Sequence, residues 1–311
     1  MNAQSQNTAL FESTMLLPDP DAQERLSRLV GLDDQKTRLS KMLGTLINSA
    51  GLEAWASRYH PGSEAYVSGI LKRPPLIVLC GDVGSGKTAL AETIGDMVAR
   101  QEDIEITLLP MSLSARGQGR VGEMTQLVSA AFEYAYQEAS KLVGPSGRAR
   151  GGVILLIDEA DALAQSRESS QMHHEDKAGV NAFIRGIDRL SNGGLPIAVI
   201  MCTNRLSALD PAVKRRAAEI LVFERPEAKQ RHLVLSDSLT PFGLSASDIE
   251  ILVNVTGSTK DRSHGFAFSD LTQRLIPSII LDAYPNSKVT ASRAIQIATE
   301  TMPTPPFQEK V

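Results

Sequence analysis

The sequence predicts an α/β fold, a five-stranded parallel sheet between helices, followed by a small helical lid domain. Three observations predict it. Strand-like runs recur at 75–80, 104–109, 153–157, 197–202 and 220–223, and the first is apolar at every residue. Unbroken apolarity, rather than alternation, marks a strand buried on both faces of a parallel sheet. Helical periodicity fills the intervals, with Leu90, Ile94, Met97 and Val98 after the first run and Leu127, Ala130, Ala131 and Ala135 after the second. Strands alternating with helices make a parallel sheet with helices on both faces. After Pro226 the strand-like runs stop, and only helical patterns follow.

Element by element, residues 1–20 read as a flexible tail closed by Pro18-Asp19-Pro20. A helix from Asp21 carries Leu26, Leu29 and Val30 until Gly31 interrupts it, and a second from Asp33 carries Leu39, Met42 and Leu46. Residues 61–68 read as loop. The large α/β domain spans 21–225. In the lid domain, 226–311, Ser245 and Asp248 form a capping box opening a helix that Gly257 ends. Helices are expected over 269–284, kinked at Pro277, and over 288–301, with a loose tail from Pro303.

The bulk numbers bound the function. A chain of 311 residues accommodates one large domain and a small second one. With 42% hydrophobic and 22% charged residues it is neither fibrous nor disordered. A formal net charge of −4 lacks the basic footprint of a dedicated nucleic-acid binder, so the expected partners are proteins. The two cysteines, Cys80 and Cys202, end apolar runs and read as buried thiols rather than a disulfide framework. No signal peptide or membrane span is legible, which leads to the expectation of a cytoplasmic protein.

Gly81-Asp82-Val83-Gly84-Ser85-Gly86-Lys87-Thr88 matches the phosphate-binding loop pattern in full. Glycines let the backbone curl around a phosphate so that N–H groups point inward. The expected contacts to ATP run from Val83, Gly84, Ser85 and Gly86 through Lys87, Thr88 and Ala89. Lys87 reaches the β- and γ-phosphates, and Thr88 offers a hydroxyl to Mg²⁺. The apolar run 153–157 then ends in Asp158-Glu159. Asp158 is the expected second Mg²⁺ ligand, and Glu159 the carboxylate that polarises the attacking water. Asp161 receives no chemical role. Acidic and His residues at 173–176 sit side by side in a polar stretch, a poor geometry for convergent metal ligands.

Together the loop, the acidic pair and Asn204 at the end of the next apolar strand resemble the AAA+ ATPases, over nearly the whole chain from Leu26 to Thr301. That resemblance implies ATP hydrolysis with Mg²⁺ in a homo-oligomeric, hexameric ring. It implies that the backbone of Val30 and Gly31 contacts adenine and that Asn204 orients the lytic water. It implies an arginine finger in Asp210-Pro211-Ala212-Val213-Lys214-Arg215-Arg216, with Arg216 favoured over Arg215. Two departures stand out: Asp270 occupies the position where the family often carries a second sensor arginine, with Arg274 a turn later. Arg120 replaces the aromatic of a threading pore loop, leaving Arg116 and Arg120 as pore-lining candidates. The run 176–188 resembles remodelling members, and the nearest group is the pachytene-checkpoint, or thyroid-receptor-interactor, ATPases. These convert HORMA-domain proteins, and their bacterial relatives work in anti-phage signalling. The competing readings are another AAA+ motor, rubisco-activase-like or DNA-loading, and a slowly hydrolysing nucleotide-gated scaffold. An intact Glu159 argues against the scaffold and the acidic balance against the loader.

Overall fold

The structure is a computed structural model and describes residues 10–113, 123–144, 149–161, 174–191, 194–205, 209–259 and 262–307. In chain order the elements are β1 (Met15–Leu17), α1 (Pro20–Ser27), α2 (Asp33–Ile47), α3 (Ser49–Tyr59), α4 (Glu64–Leu71), β2 (Leu76–Gly81), α5 (Lys87–Glu102), β3 (Glu105–Ser112), α6 (Glu123–Ser140), β4 (Gly151–Asp158) and α7 (His174–Ser191). There follow β5 (Ile197–Thr203), α8 (Pro211–Lys214), β6 (Ala217–Phe223), α9 (Ala228–Leu239), α10 (Ala246–Val255), α11 (Ile276–Ala283) and α12 (Ala291–Glu300). Two compact units contain them. The sheet unit comprises Met1–Ser27, Asp34–Cys80 and Thr88–Val222, and the helical unit Arg28–Asp33, Gly81–Lys87 and Phe223–Val311.

The sheet has six strands in the order β1-β3-β4-β5-β2-β6. Its β3–β4, β4–β5 and β5–β2 ladders are parallel, as the unbroken apolar runs predict. The sixth strand is a correction to the expected five. Met15–Leu17 pairs antiparallel with β3, Leu16 opposite Thr107, inside the segment expected to be a tail. Phe11 and Leu17 are fully buried, and the Glu12 N–H donates to the Pro110 carbonyl at 3.0 Å. Burying two such side chains stabilises this segment by about 3–6 kcal/mol in all, which three apolar residues in a polar stretch do not advertise. Residues 64–71 are helical rather than loop. Only Val67 is buried there, so no apolar stripe signals the helix.

Alternate residues of each central strand serve opposite faces of the sheet. Leu76, Val78 and Cys80 join Val153, Leu155 and Ile157 in one cluster with α6 and α7. On the other face Ile106 and Ile154 approach Gly95 of α5, and Ile47 of α2 approaches Gly152. Both cysteines are buried free thiols on strands. The helical unit holds the predicted capping box, with the Ser245 side chain on the Asp248 N–H and the reverse. The expected kink takes the form of a π-helical turn, Asp270–Leu275, just before Pro277, which lacks the N–H a continuous helix would need there. Among the described residues no helix is long and apolar enough to cross a membrane.

The α6–α7 contact depends on a missing side chain. A Cβ at Gly186 would lie 2.4 Å from the Phe132 ring, which itself packs edge-on against Phe183 at 5.7 Å. Gly186→Ala should therefore destabilise the fold by about 1–3 kcal/mol, because overpacking outweighs the better helix propensity. Urea denaturation checks this; an unchanged or higher midpoint would mean that Phe132 moves aside.

Candidate nucleotide site

Gly81–Lys87 belongs to the helical unit and curls tightly there. Gly84 and Gly86 have φ of 73° and 93°, in the left-handed region open to glycine. Gly84 also has no room for a side chain, since a Cβ would meet the Ser269 hydroxyl oxygen at 2.0 Å. Lys87 is only 7% exposed, and its ammonium donates to the Gly81 and Asp82 carbonyls at 2.9 and 2.8 Å. Ser85 Oγ donates to the same Asp82 carbonyl at 2.7 Å. A glycine-formed curl around an interior ammonium fits a polyphosphate, because the cation can exchange carbonyl partners for anionic oxygens. Thr88 and Ala89 follow in the first turn of α5, where the helix dipole favours an anion.

The predicted adenine segment lies in the same unit. Gly31 has φ 83°, and its carbonyl accepts from Gln230 Nε2 at 2.6 Å. A Cβ on Gly86 would approach Leu32 Cδ1 at 3.0 Å, so the Val30–Gly31 turn and the phosphate loop are neighbours. Gln230 was not legible as a site residue. Its Oε1 also accepts from the Glu227 N–H at the start of α9, which gives it an ordinary capping role in sequence.

In the sheet unit, Asp158 ends β4 and Glu159 follows in the left-handed region at φ 51°. Its N–H donates to Asp158 Oδ1 at 2.8 Å, and Ala160 donates to the Cys202 carbonyl at 3.0 Å. A left-handed glutamate costs about 1–2 kcal/mol, and Glu159 is an exposed residue. Burial pushes the Glu92 carboxyl above its ordinary range, with the charges of Asp158 and Glu12 adding to the effect and the Arg25 ion pair opposing it. Asp158 thus contributes to a negative field that a cation would relieve. Among the described residues no three His, Cys, Asp or Glu side chains converge on a metal site.

Asp161, given no role from sequence, organises the end of β5. It accepts from Thr203 Oγ1 at 2.7 Å, from the Asn204 N–H at 2.8 Å and from Asn204 Nδ2 at 3.2 Å. Arg216 engages Asp188 through Nε at 2.6 Å and Nη2 at 2.9 Å, whereas Arg215 is exposed. Asp270 is fully buried at the position where the family resemblance leads to the expectation of a sensor arginine. It accepts from the Ala267 and Thr304 N–H groups, from the Thr304 hydroxyl and from Arg274. Pore candidates Arg116 and Arg120 lie outside the described residues, as does His173.

The family model of ATPases associated with various cellular activities (AAA) matches residues 77–225. Over 310 residues the chain is 62% identical to CD-NTase-associated protein 6 of Escherichia coli strain MS 115-1, covering 100% of both. The chain belongs to the AAA ATPase family. A chain of the solved E. coli MS115-1 HORMA:CdnC:Trip13 complex matches it at TM-score 0.90 and 62% identity, over 97% of this AAA chain and 99% of that one. Trip13 from Rhizobiales matches at TM-score 0.77 and 56% identity, over 96% and 100%. PCH-2 of C. elegans, at TM-score 0.62 and 16% identity over 92% and 72%, shares the fold.

The Asp270 node carries a pH signature. Burial raises its carboxyl, but hydrogen bonds from Thr304, Ala267 and Arg274 more than offset this and hold it below the usual carboxylate range. A depressed folded pKa stabilises above the unfolded value of about 3.9 and is lost as pH falls through the folded value. Asp270→Asn should therefore melt several degrees lower than wild type at pH 7, with the gap closing below about pH 4. A gap independent of pH in thermal melts would assign the loss to shape rather than charge.

Proposed function

We propose that this protein couples ATP hydrolysis to remodelling of a HORMA-domain protein in bacterial anti-phage signalling, acting in the cytoplasm as a hexameric ring. The observation that carries this reading is the match, at 62% identity over 97% of this chain, to a chain of the HORMA:CdnC:Trip13 complex. The site chemistry supports it.

In this reading Lys87 leaves the Gly81 and Asp82 carbonyls for the β- and γ-phosphate oxygens, while the N–H groups of Val83 to Ala89 surround them. Val30 and Gly31 receive adenine, with Gln230 holding the Gly31 carbonyl. Thr88 and Asp158 would hold Mg²⁺, which supplies charge neutralisation between the phosphates. Glu159 takes the proton of the attacking water, and Asn204, oriented by Asp161, positions that water. An arginine acts on the γ-phosphate of the neighbouring subunit. Arg216 can do so once its Asp188 pair gives way, and exposed Arg215 is the alternative. Arg116 and Arg120 would line the pore.

Lys87→Ala should lose ATP binding. Glu159→Gln should bind ATP yet hydrolyse it about 100-fold more slowly or less. In the presence of ATP it should retain a HORMA-domain protein from the same genomic source through affinity purification. Rapid turnover by Glu159→Gln removes it from the base role. Capture of nucleic acid, or of no protein, overturns the remodelling reading. In rings mixed with wild type, Arg216→Ala should lower activity more than its own fraction; if Arg215→Ala does so instead, the finger is Arg215.

A further inference from the structure

The carboxylate of Asp82, inside the phosphate loop, is held by segments far away in sequence. Its Oδ1 accepts from the Val83 N–H at 2.8 Å and from the Phe307 N–H at 2.9 Å. Its Oδ2 accepts from Arg225 Nε at 2.6 Å, in an ion pair whose side chains are 14% and 16% exposed. Arg225 directs its other donors to the Gly265 carbonyl at 2.7 Å and the Thr304 carbonyl at 2.8 Å. Thr304 reaches back to Asp270 through its N–H at 3.0 Å and its hydroxyl at 2.6 Å. One residue before Asp270, the Ser269 N–H donates to the Gly84 carbonyl at 3.0 Å. The circuit Asp82, Arg225, Thr304, Asp270, Ser269 and Gly84 is closed and lies wholly within the helical unit.

We propose that Arg225 is a positioning residue for the phosphate loop and that residues 303–307 form a strap that completes its grip, so that nucleotide affinity is set from the C-terminal segment. This rests on the reading of Gly81 to Thr88 as the phosphate cradle. Two physical points support it. First, the loop carries a carboxylate that would repel a polyphosphate, and a buried guanidinium in a fork geometry neutralises and aims it. The same residue's backbone carbonyl holds Lys87, so a displaced Asp82 also releases the ammonium. Second, the strap reads Pro303-Thr304-Pro305-Pro306-Phe307. Three prolines restrict the free segment to extended conformations, so ordering it against the loop costs little entropy. The two residues between and after them whose N–H groups the circuit uses are the two that are not proline.

The test compares Phe307→Pro with Phe307→Ala, which both lose the ring and of which only the alanine variant keeps the N–H donated to Asp82, alongside Arg225→Ala and Arg225→Lys. Binding of a fluorescent ADP analogue, KM and kcat for ATP, and amide exchange of 82–87 without nucleotide are measured on folded protein. Arg225→Ala should weaken ADP binding and raise KM by about tenfold, with kcat within about twofold and faster exchange in the loop. Arg225→Lys should lie between, since one ammonium cannot serve three acceptors in a plane. Phe307→Pro should bind ADP about threefold or more weaker than Phe307→Ala. In an Asp82→Ala background the Phe307→Pro difference should vanish, because both act through one carboxylate. If Arg225→Ala fails to fold, the Phe307 pair decides alone. Equal ADP affinity and equal loop exchange in that pair overturn the proposal, as does a fall in kcat at unchanged KM. A wild-type chain that binds no ADP overturns the cradle reading along with it.

Discussion

The proposed chemistry of this chain hangs on one strand register. β5 pairs in parallel with both β2 and β4, setting Cys80 opposite Thr203 and Ile157 opposite Met201. Three strand ends therefore lie at the same end of the sheet, and the acidic pair and Asn204 begin within a residue or two of it. A slip by one residue on β5 would turn Asn204 and its neighbours to the opposite face. The core resists such a slip because Ile197, Val199 and Met201 are committed to one buried cluster while Ala198 and Ile200 are buried outside it.

What was legible in the sequence follows from this register. Strands buried on both faces must be apolar at every residue, and that signal is hard to mistake. The loop glycines and the paired acids are legible because few other residue types can do their work. The missing parts share a different physics. β1 is three residues long, too short for any period to show, and α4 buries one side chain. Asp161, Gln230 and Arg225 act through hydrogen bonds to partners 40 to 200 residues distant, to which no local pattern points. Each reads alone as a surface or capping residue. The strap reads in sequence as a loose tail because prolines usually signal one, although the same stiffness makes a cheap brace.

Two arginines show how position decides use. Arg225 is nearly buried and serves three acceptors from three segments, which suits a role in holding shape. Arg216 is bound to a half-exposed aspartate on α7 and keeps access to water. Such a pair contributes little to stability and can exchange partners at modest cost. The helical unit uses the stronger arrangement, and the sheet unit the weaker one.

Glu159 stands at a conflict between two selections. Its left-handed backbone would be relieved by glycine, a gain of about 1–2 kcal/mol. The same change would delete the carboxylate proposed to polarise water. A search of sequence space for stability alone would replace this residue early, and the product would be a tighter fold with a silent site. Position 159 is thus a place where homologous chains that have given up hydrolysis are expected to diverge first, toward glycine or asparagine rather than toward a conservative acid.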